Sequence, residues 1–208
     1  MIIEKLTVGP LMANCFIVGC PDTLRAAVID PGGDVDRILT ALARRELRVE
    51  AIIDTHGHFD HVGGNRRLKD ATGAPIMIHA ADAPMLSQLA RSAGSFGLEA
   101  ENSPPADRLL ADQEVVEVGR LQFKVLHTPG HTPGGVSLFT PGHVFVGDSL
   151  FAGSIGRTDF PGGDFDTLIR SIHKQLFALD DDVVVYTGHG PETTIAQEKR
   201  YNPFAAIR

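Results

Sequence analysis

Residues 51–64 read Ala-Ile-Ile-Asp-Thr-His-Gly-His-Phe-Asp-His-Val-Gly-Gly, an apolar run that ends in a cluster of histidines and carboxylates. The run has the length and composition of a short buried strand. In extended chain, side chains two positions apart share a face, so His56 and His58 point the same way and can grip one ion. Asp60 and His61 follow where the chain turns towards a helix, so they leave in another direction and can reach a second ion. Gly57 puts no side chain against the ions, and Gly63-Gly64 lets the helix pack closely. Three histidines and an aspartate within six positions are a poor design for a loop with no task; the pattern points to a metal site.

Working outward from this segment, the pattern on the N-terminal side predicts strands at 2–8, 13–19 and 25–29, separated by Gly9-Pro10 and Pro21-Asp22. Val35, Ile38, Leu39 and Leu42 have the three-and-four spacing of an amphipathic helix over 35–45, which makes this part β-α-β. On the C-terminal side a helix is expected at 61–71, a strand at 76–79 and a helix over 81–90. Residues 91–108, RSAGSFGLEAENSPPADR, have no period and are rich in small residues, and they read as a mobile surface loop. Strands at 115–118, 121–127, 135–139 and 143–146, a helix at 165–178, a strand at 182–186 and a short helix after Pro191 complete the chain. Many of these strands are joined by hairpin-length turns, which excludes a single parallel sheet. The expected fold is α+β, an αββα sandwich of two mixed β-sheets flanked by helices, forming one domain over 1–208.

Further ligands must come from elsewhere in the chain. His131 in TPGHTPG, Asp148 in VGDS and His189 in TGHG each lie just past an expected strand end and next to glycine. Strand ends hold ligands on a rigid frame, and glycine allows the tight turn that brings them together. Four histidines remain: His79 and His127 read as core or supporting residues, and His143 and His173 as surface residues.

A net charge of −7 with no clustered Lys or Arg excludes a nucleic-acid surface. No apolar run approaches the roughly 20 residues of a membrane span. The N-terminus, Met-Ile-Ile-Glu-Lys, lacks a leader pattern, so a cytoplasmic protein is expected. Cys15 and Cys20 are the only cysteines and read as small core residues.

With these residues placed, the chain resembles the metallo-β-lactamase-fold hydrolases, whose motifs occur in order as Asp30, His56 to His61, His131, Asp148 and His189. The resemblance implies that His56, His58 and His131 hold a first ion and Asp60, His61 and His189 a second. It also implies that Asp148 bridges the two and that Asp30 supports a ligand from behind. The stretch GDSLFAGSIGRTDFPGGD and the ending YNPFAAIR resemble the glyoxalase II (hydroxyacylglutathione hydrolase) branch, in a short form lacking its C-terminal helical region. That branch implies cleavage of S-D-lactoylglutathione to D-lactate and glutathione by a hydroxide shared between two divalent ions, with Asp60 orienting it. The expected partner is therefore a small-molecule thioester, glutathione-based. His and carboxylate ligands accept Zn, Fe and Mn alike, with Zn the first expectation. A thiolate leaves without a general acid, and none is evident.

Arg157, just past Asp148, is the candidate for meeting a substrate carboxylate, with Lys199, Arg200 and Arg208 behind it. GRTDF is also similar to the mononuclear iron persulfide dioxygenases of the same superfamily, which need only His56, His131 and Asp148; this is the alternative.

Overall fold

The computed structural model describes residues 1–207. Its first half runs β1 (Ile2–Val8), β2 (Ala13–Gly19), β3 (Arg25–Ile29), α1 (Val35–Arg44), β4 (Arg48–Ile53), α2 (Phe59–Val62), α3 (Asn65–Thr72) and β5 (Ile76–His79). A 3-10 turn (Ala83–Gln88), α4 (Leu89–Gly94) and β6 (Arg108–Leu110) follow. The second half runs β7 (Val115–Val118), β8 (Leu121–His127), β9 (Val136–Thr140), β10 (His143–Gly147), β11 (Leu150–Phe151) and β12 (Ser154–Ile155). It ends with α5 (Phe165–Ser171), β13 (Val184–Thr187), β14 (Thr193–Thr194) and α6 (Ile195–Tyr201).

The strands form two mixed six-stranded sheets, ordered β1-β2-β3-β4-β5-β6 and β14-β13-β10-β9-β8-β7. Strand periodicity explains the layering. In β4, Ala51 and Ile53 face the second sheet among Phe16, Phe123 and Phe145, while Ile52 faces the opposite way towards Ile38, Leu42 and Leu68 of the first helical layer. On the other side of the molecule, Val144, Val146 and Val185 meet Leu168, Ile172 and Ile195 of the second helical layer. Helix, sheet, sheet and helix are thus stacked in that order, as the αββα pattern predicts. Both faces of the central strands are covered, which is why 51–53 reads as a continuous apolar run.

Several expected elements differ. The helix expected at 61–71 is two pieces broken at Gly63-Gly64, where a Cβ on Gly64 would meet the Pro31 carbonyl oxygen. The helix expected at 81–90 opens as a 3-10 turn with proline in its first turn and runs on through Gly94. The helix expected at 165–178 widens into a π turn over Ile172–Leu176. The stretch 91–108 is not a free loop: Ser103 N donates to Leu86 O at 3.0 Å, Arg66 Nη2 donates to Asn102 O at 3.0 Å, and its last residue begins β6, parallel to β5. Its polar side chains hide this, because the docking bonds run largely through backbone groups.

His79 and His127 are not core residues but a half-exposed stacked pair, 4.3 Å between ring centroids. His143 opens β10, and His173 is exposed, with Nε2 donating to Ala205 O at 2.7 Å. Cys15 and Cys20 are buried and unpaired. No helix among the described residues is long and apolar enough to cross a membrane.

Candidate metal centre

The C-terminal ends of β3, β4, β8, β10 and β13 open onto one edge of the sandwich, and each delivers polar residues there: Asp30, then His56 to His61, His131, Asp148 and His189. One donor atom each from His56, His58 and His131 lies within 4.8 Å of the other two, and the same holds for Asp60, His61 and His189. Asp148 stands between the triads, with Oδ2 3.6 Å from His131 Nε2 and 3.7 Å from His189 Nε2, and Oδ1 3.4 Å from His61 Nε2. All seven residues singled out by spacing are therefore brought together.

Three of the five rings, those of His61, His56 and His131, are aimed from behind. Asp30, in a left-handed turn (φ 52°), accepts from Thr55 N and Thr55 Oγ1, both at 2.7 Å, and from His61 Nδ1 at 3.0 Å. His61 Nε2 is thereby turned into the cluster. Since Thr55 Oγ1 gives its proton to Asp30, it accepts from His56 Nδ1 at 3.1 Å, which leaves His56 Nε2 as the free nitrogen. His131 Nδ1 donates to Arg157 O at 2.7 Å, so its Nε2 also points inward. Such backing fixes tautomer and orientation, as metal-ligating histidines require.

The donor set fits divalent metal ions. His56 Nε2 and Asp148 Oδ1 are buried and make no hydrogen bond, a costly arrangement unless a cation meets them. His131 Nε2 lies 2.9 Å from His58 Nδ1, and His61 Nε2 3.2 Å from His189 Nε2, so nitrogens converge that cannot all donate to one another. Burial, then the neighbouring His61 and His58, push the His56 imidazole well below its ordinary value; burial, then His131, takes His58 down to about 4. Both rings are thus neutral, with lone pairs available, at neutral pH. Burial by itself raises the Asp148 and Asp60 carboxyls, but His61 first, and then other histidines, outweigh it and hold both ionised. Burial also lowers His61 and His189, and the carboxylates facing them reverse the sign. One triad offers three imidazole nitrogens, and the other sets the Asp60 carboxylate beside two imidazoles.

Two glycines have clear steric roles. A Cβ on Gly188 would collide with Asp148 Oδ1, so only glycine admits the carboxylate there. Gly57 is needed for a different reason from the expected one: its Cβ would lie 2.8 Å from Met85 Cβ, against the helical wall rather than the ions.

Sequence reasoning missed two supports. Asp82, fully buried, accepts from Gly57 N at 3.0 Å and Gly134 N at 2.7 Å, tying the His56–His58 loop to the loop carrying His131. Asn14 donates to Thr187 O and Gly190 O, each at 2.9 Å, pinning the turn that carries His189. Neither lies in a local pattern; only an isolated buried-type polar residue in strand β2 hinted at Asn14.

A cavity of about 980 Å³ opens over the cluster. Arg157 lines it, but its guanidinium is engaged by Asp159 (Nε to Oδ1 2.9 Å, Nη2 to Oδ2 2.8 Å) and stacks 4.0 Å over Phe160. Arg157, the residue expected to meet a substrate carboxylate, is therefore a paired cation. Lys199 does not line the cavity and bonds Asp181 Oδ1 at 2.7 Å, while Arg200 stacks on Tyr201; Arg208 lies outside the described residues.

Residues 8–189 match the family model described as the metallo-beta-lactamase superfamily. The chain is 40% identical to the hydroxyacylglutathione hydrolase GloC of Haemophilus influenzae, over 98% of each chain. Among solved structures it is similar to BLEG-1 B3 metallo-beta-lactamase (TM-score 0.93, 38% identity, 99% of this chain and 100% of that one). It is also similar to TTHA1623 in a di-iron-bound form (0.89, 37%, 97% and 99%). A third likeness is to ETHE1 from Myxococcus xanthus (0.86, 33%, 99% and 85%). With its two sheets, its ordered motifs and its converging histidines and aspartates, the chain belongs to the metallo-beta-lactamase superfamily.

Proposed function

We propose that this protein is a dinuclear metal-dependent thioester hydrolase of glyoxalase II type, cleaving S-D-lactoylglutathione to D-lactate and glutathione. The observation that carries the reading is the completeness of both triads, each with its donor atoms within 4.8 Å of one another, around an Asp148 carboxylate whose oxygens lie 3.4 Å from His61, 3.6 Å from His131 and 3.7 Å from His189. His56, His58 and His131 would hold one ion and Asp60, His61 and His189 the other, with Asp148 placed to serve both. The likeness to GloC supports the substrate class and the likeness to a di-iron-bound form supports two ions, with zinc, iron and manganese all suited to these ligands.

When bound, two divalent ions supply Lewis acidity and bring the pKa of a water close to neutrality. Asp60, held ionised beside His61 and His189, accepts a hydrogen bond from the attacking water and directs its lone pair at the acyl carbon. The water gives a proton to Asp60, and from there to solvent, as the new carbon–oxygen bond forms and the carbon–sulfur bond breaks, and the thiolate departs with the electron pair. Its low basicity removes the need for a proton donor.

The likeness to ETHE1 and the GRTDF segment favour a second reading, a mononuclear iron persulfide dioxygenase. Parallel assays separate the two. Hydrolysis of S-lactoylglutathione without oxygen uptake is expected; oxygen consumption with glutathione persulfide, and no thioester cleavage, would overturn the hydrolase reading.

A further inference from the structure

The floor of the cavity is occupied by candidate metal ligands, so discrimination between substrates must come from its walls. One wall is apolar, with Phe151, Ile155 and Phe160. The facing wall is the 3-10 turn and α4, which presents Gln88, Arg91 and Ser92 to the same space. Two cations line the cavity, Arg91 and Arg157. Arg157 is consumed by Asp159 and Phe160, whereas Arg91, exposed in the last turn of α4, has no carboxylate in ion-pair distance among the described residues. Its guanidinium makes no hydrogen bond among the described residues, and its carbonyl oxygen accepts from Ser95 Oγ. The carboxylates of the floor, Asp60 and Asp148, are turned to imidazoles instead.

An unpaired guanidinium beside a cavity large enough for a tripeptide-sized molecule is suited to an anion. Resting on the thioester reading, we infer that Arg91 is a specificity-determining residue that anchors a carboxylate on the thiol arm of the substrate. Ser92 and Gln88 face the amide groups of that arm, and the apolar wall takes its methylenes. The preferred substrates are thioesters of acidic, peptide-like thiols. Arg157 acts on the same substrate only through its carbonyl, which orients His131, and through the ring it fixes.

The test compares two lactoyl thioesters on the metal-loaded enzyme, one of glutathione and one of the uncharged thiol N-acetylcysteamine. The readout is the ratio of their kcat/KM values. Arg91→Glu is expected to lower the ratio about tenfold and to weaken binding of S-methylglutathione, measured by calorimetry, by a similar factor. Arg91→Lys, which keeps the charge, is expected to retain the ratio within about threefold. An unchanged ratio and unchanged Kd in Arg91→Glu would overturn the inference, as would a collapse in Arg91→Lys as large as that in Arg91→Glu. Wild-type enzyme inert towards both thioesters would instead defeat the thioester reading, and the calorimetric arm would still decide the role of Arg91.

Discussion

His56, in the cluster beneath the cavity, is 2% exposed, with Nδ1 held by Thr55 and the loop around it tied down by Asp82; Phe96, on the wall, is 49% exposed and packs its ring against Phe59 and Phe160. Floor residues sit just past strand ends, where backbone position is set by two sheets and the rings of His56, His61 and His131 have partners behind them. Wall residues sit on α4 and just past it, and from β11 to the segment after β12, where side chains contact one another and solvent. The floor is preorganised, as chemistry requires, and the wall is free to differ between proteins that share the same floor.

The largest effect should come from removing a floor ligand. His58→Ala is expected to lose metal and to lower kcat/KM by at least ~100-fold, measured by metal analysis alongside kinetics. Full activity and full metal content would break the contrast at its base. Asp30→Asn leaves every ligand in place but weakens the acceptor behind His61; a loss of ~10–100-fold in metal affinity or activity is expected, read by competition with a chelator. On the wall, Phe96→Ala should raise KM by about fivefold with metal content and kcat retained, since a half-exposed ring contributes about 1 kcal/mol. A fall in metal content in that variant would show that wall and floor are not separable.

The smallest effect lies outside both regions. Lys69 first, and then the Ile76 N–H, hold the exposed Asp107 carboxyl below its ordinary value. A folded pKa depressed in this way contributes stability above the unfolded value, near pH 4, and that contribution is lost as pH falls through the folded value. Asp107→Asn should therefore lower stability by under ~1 kcal/mol at neutral pH and by progressively less in acid, measured by denaturant unfolding.

Much of the floor was legible in sequence because its residues follow short apolar runs and carry glycine beside them; strand periodicity was not the reason His56 meets His58, since β4 ends at Ile53 and both lie in the bend beyond it. The αββα layering followed from turn lengths. The wall was not legible. Proline in the first turn of a 3-10 segment obscured α4, and the polar stretch after it concealed its backbone docking. Arg157 looked free because a sequence does not show that Asp159 folds back on it, and Arg91 was overlooked inside a stretch read as loop. Asp82 and Asn14 act across loops distant in sequence, and single polar residues making long-range backbone contacts leave no local pattern.

The central claim is that two ions share this floor, and the direct measurement is metal content per chain in wild type and in His189→Ala. The account predicts two equivalents in the wild type, and about one in the variant with S-lactoylglutathione hydrolysis lost. A wild type that saturates at one equivalent, or a His189→Ala variant that still binds two, would contradict it.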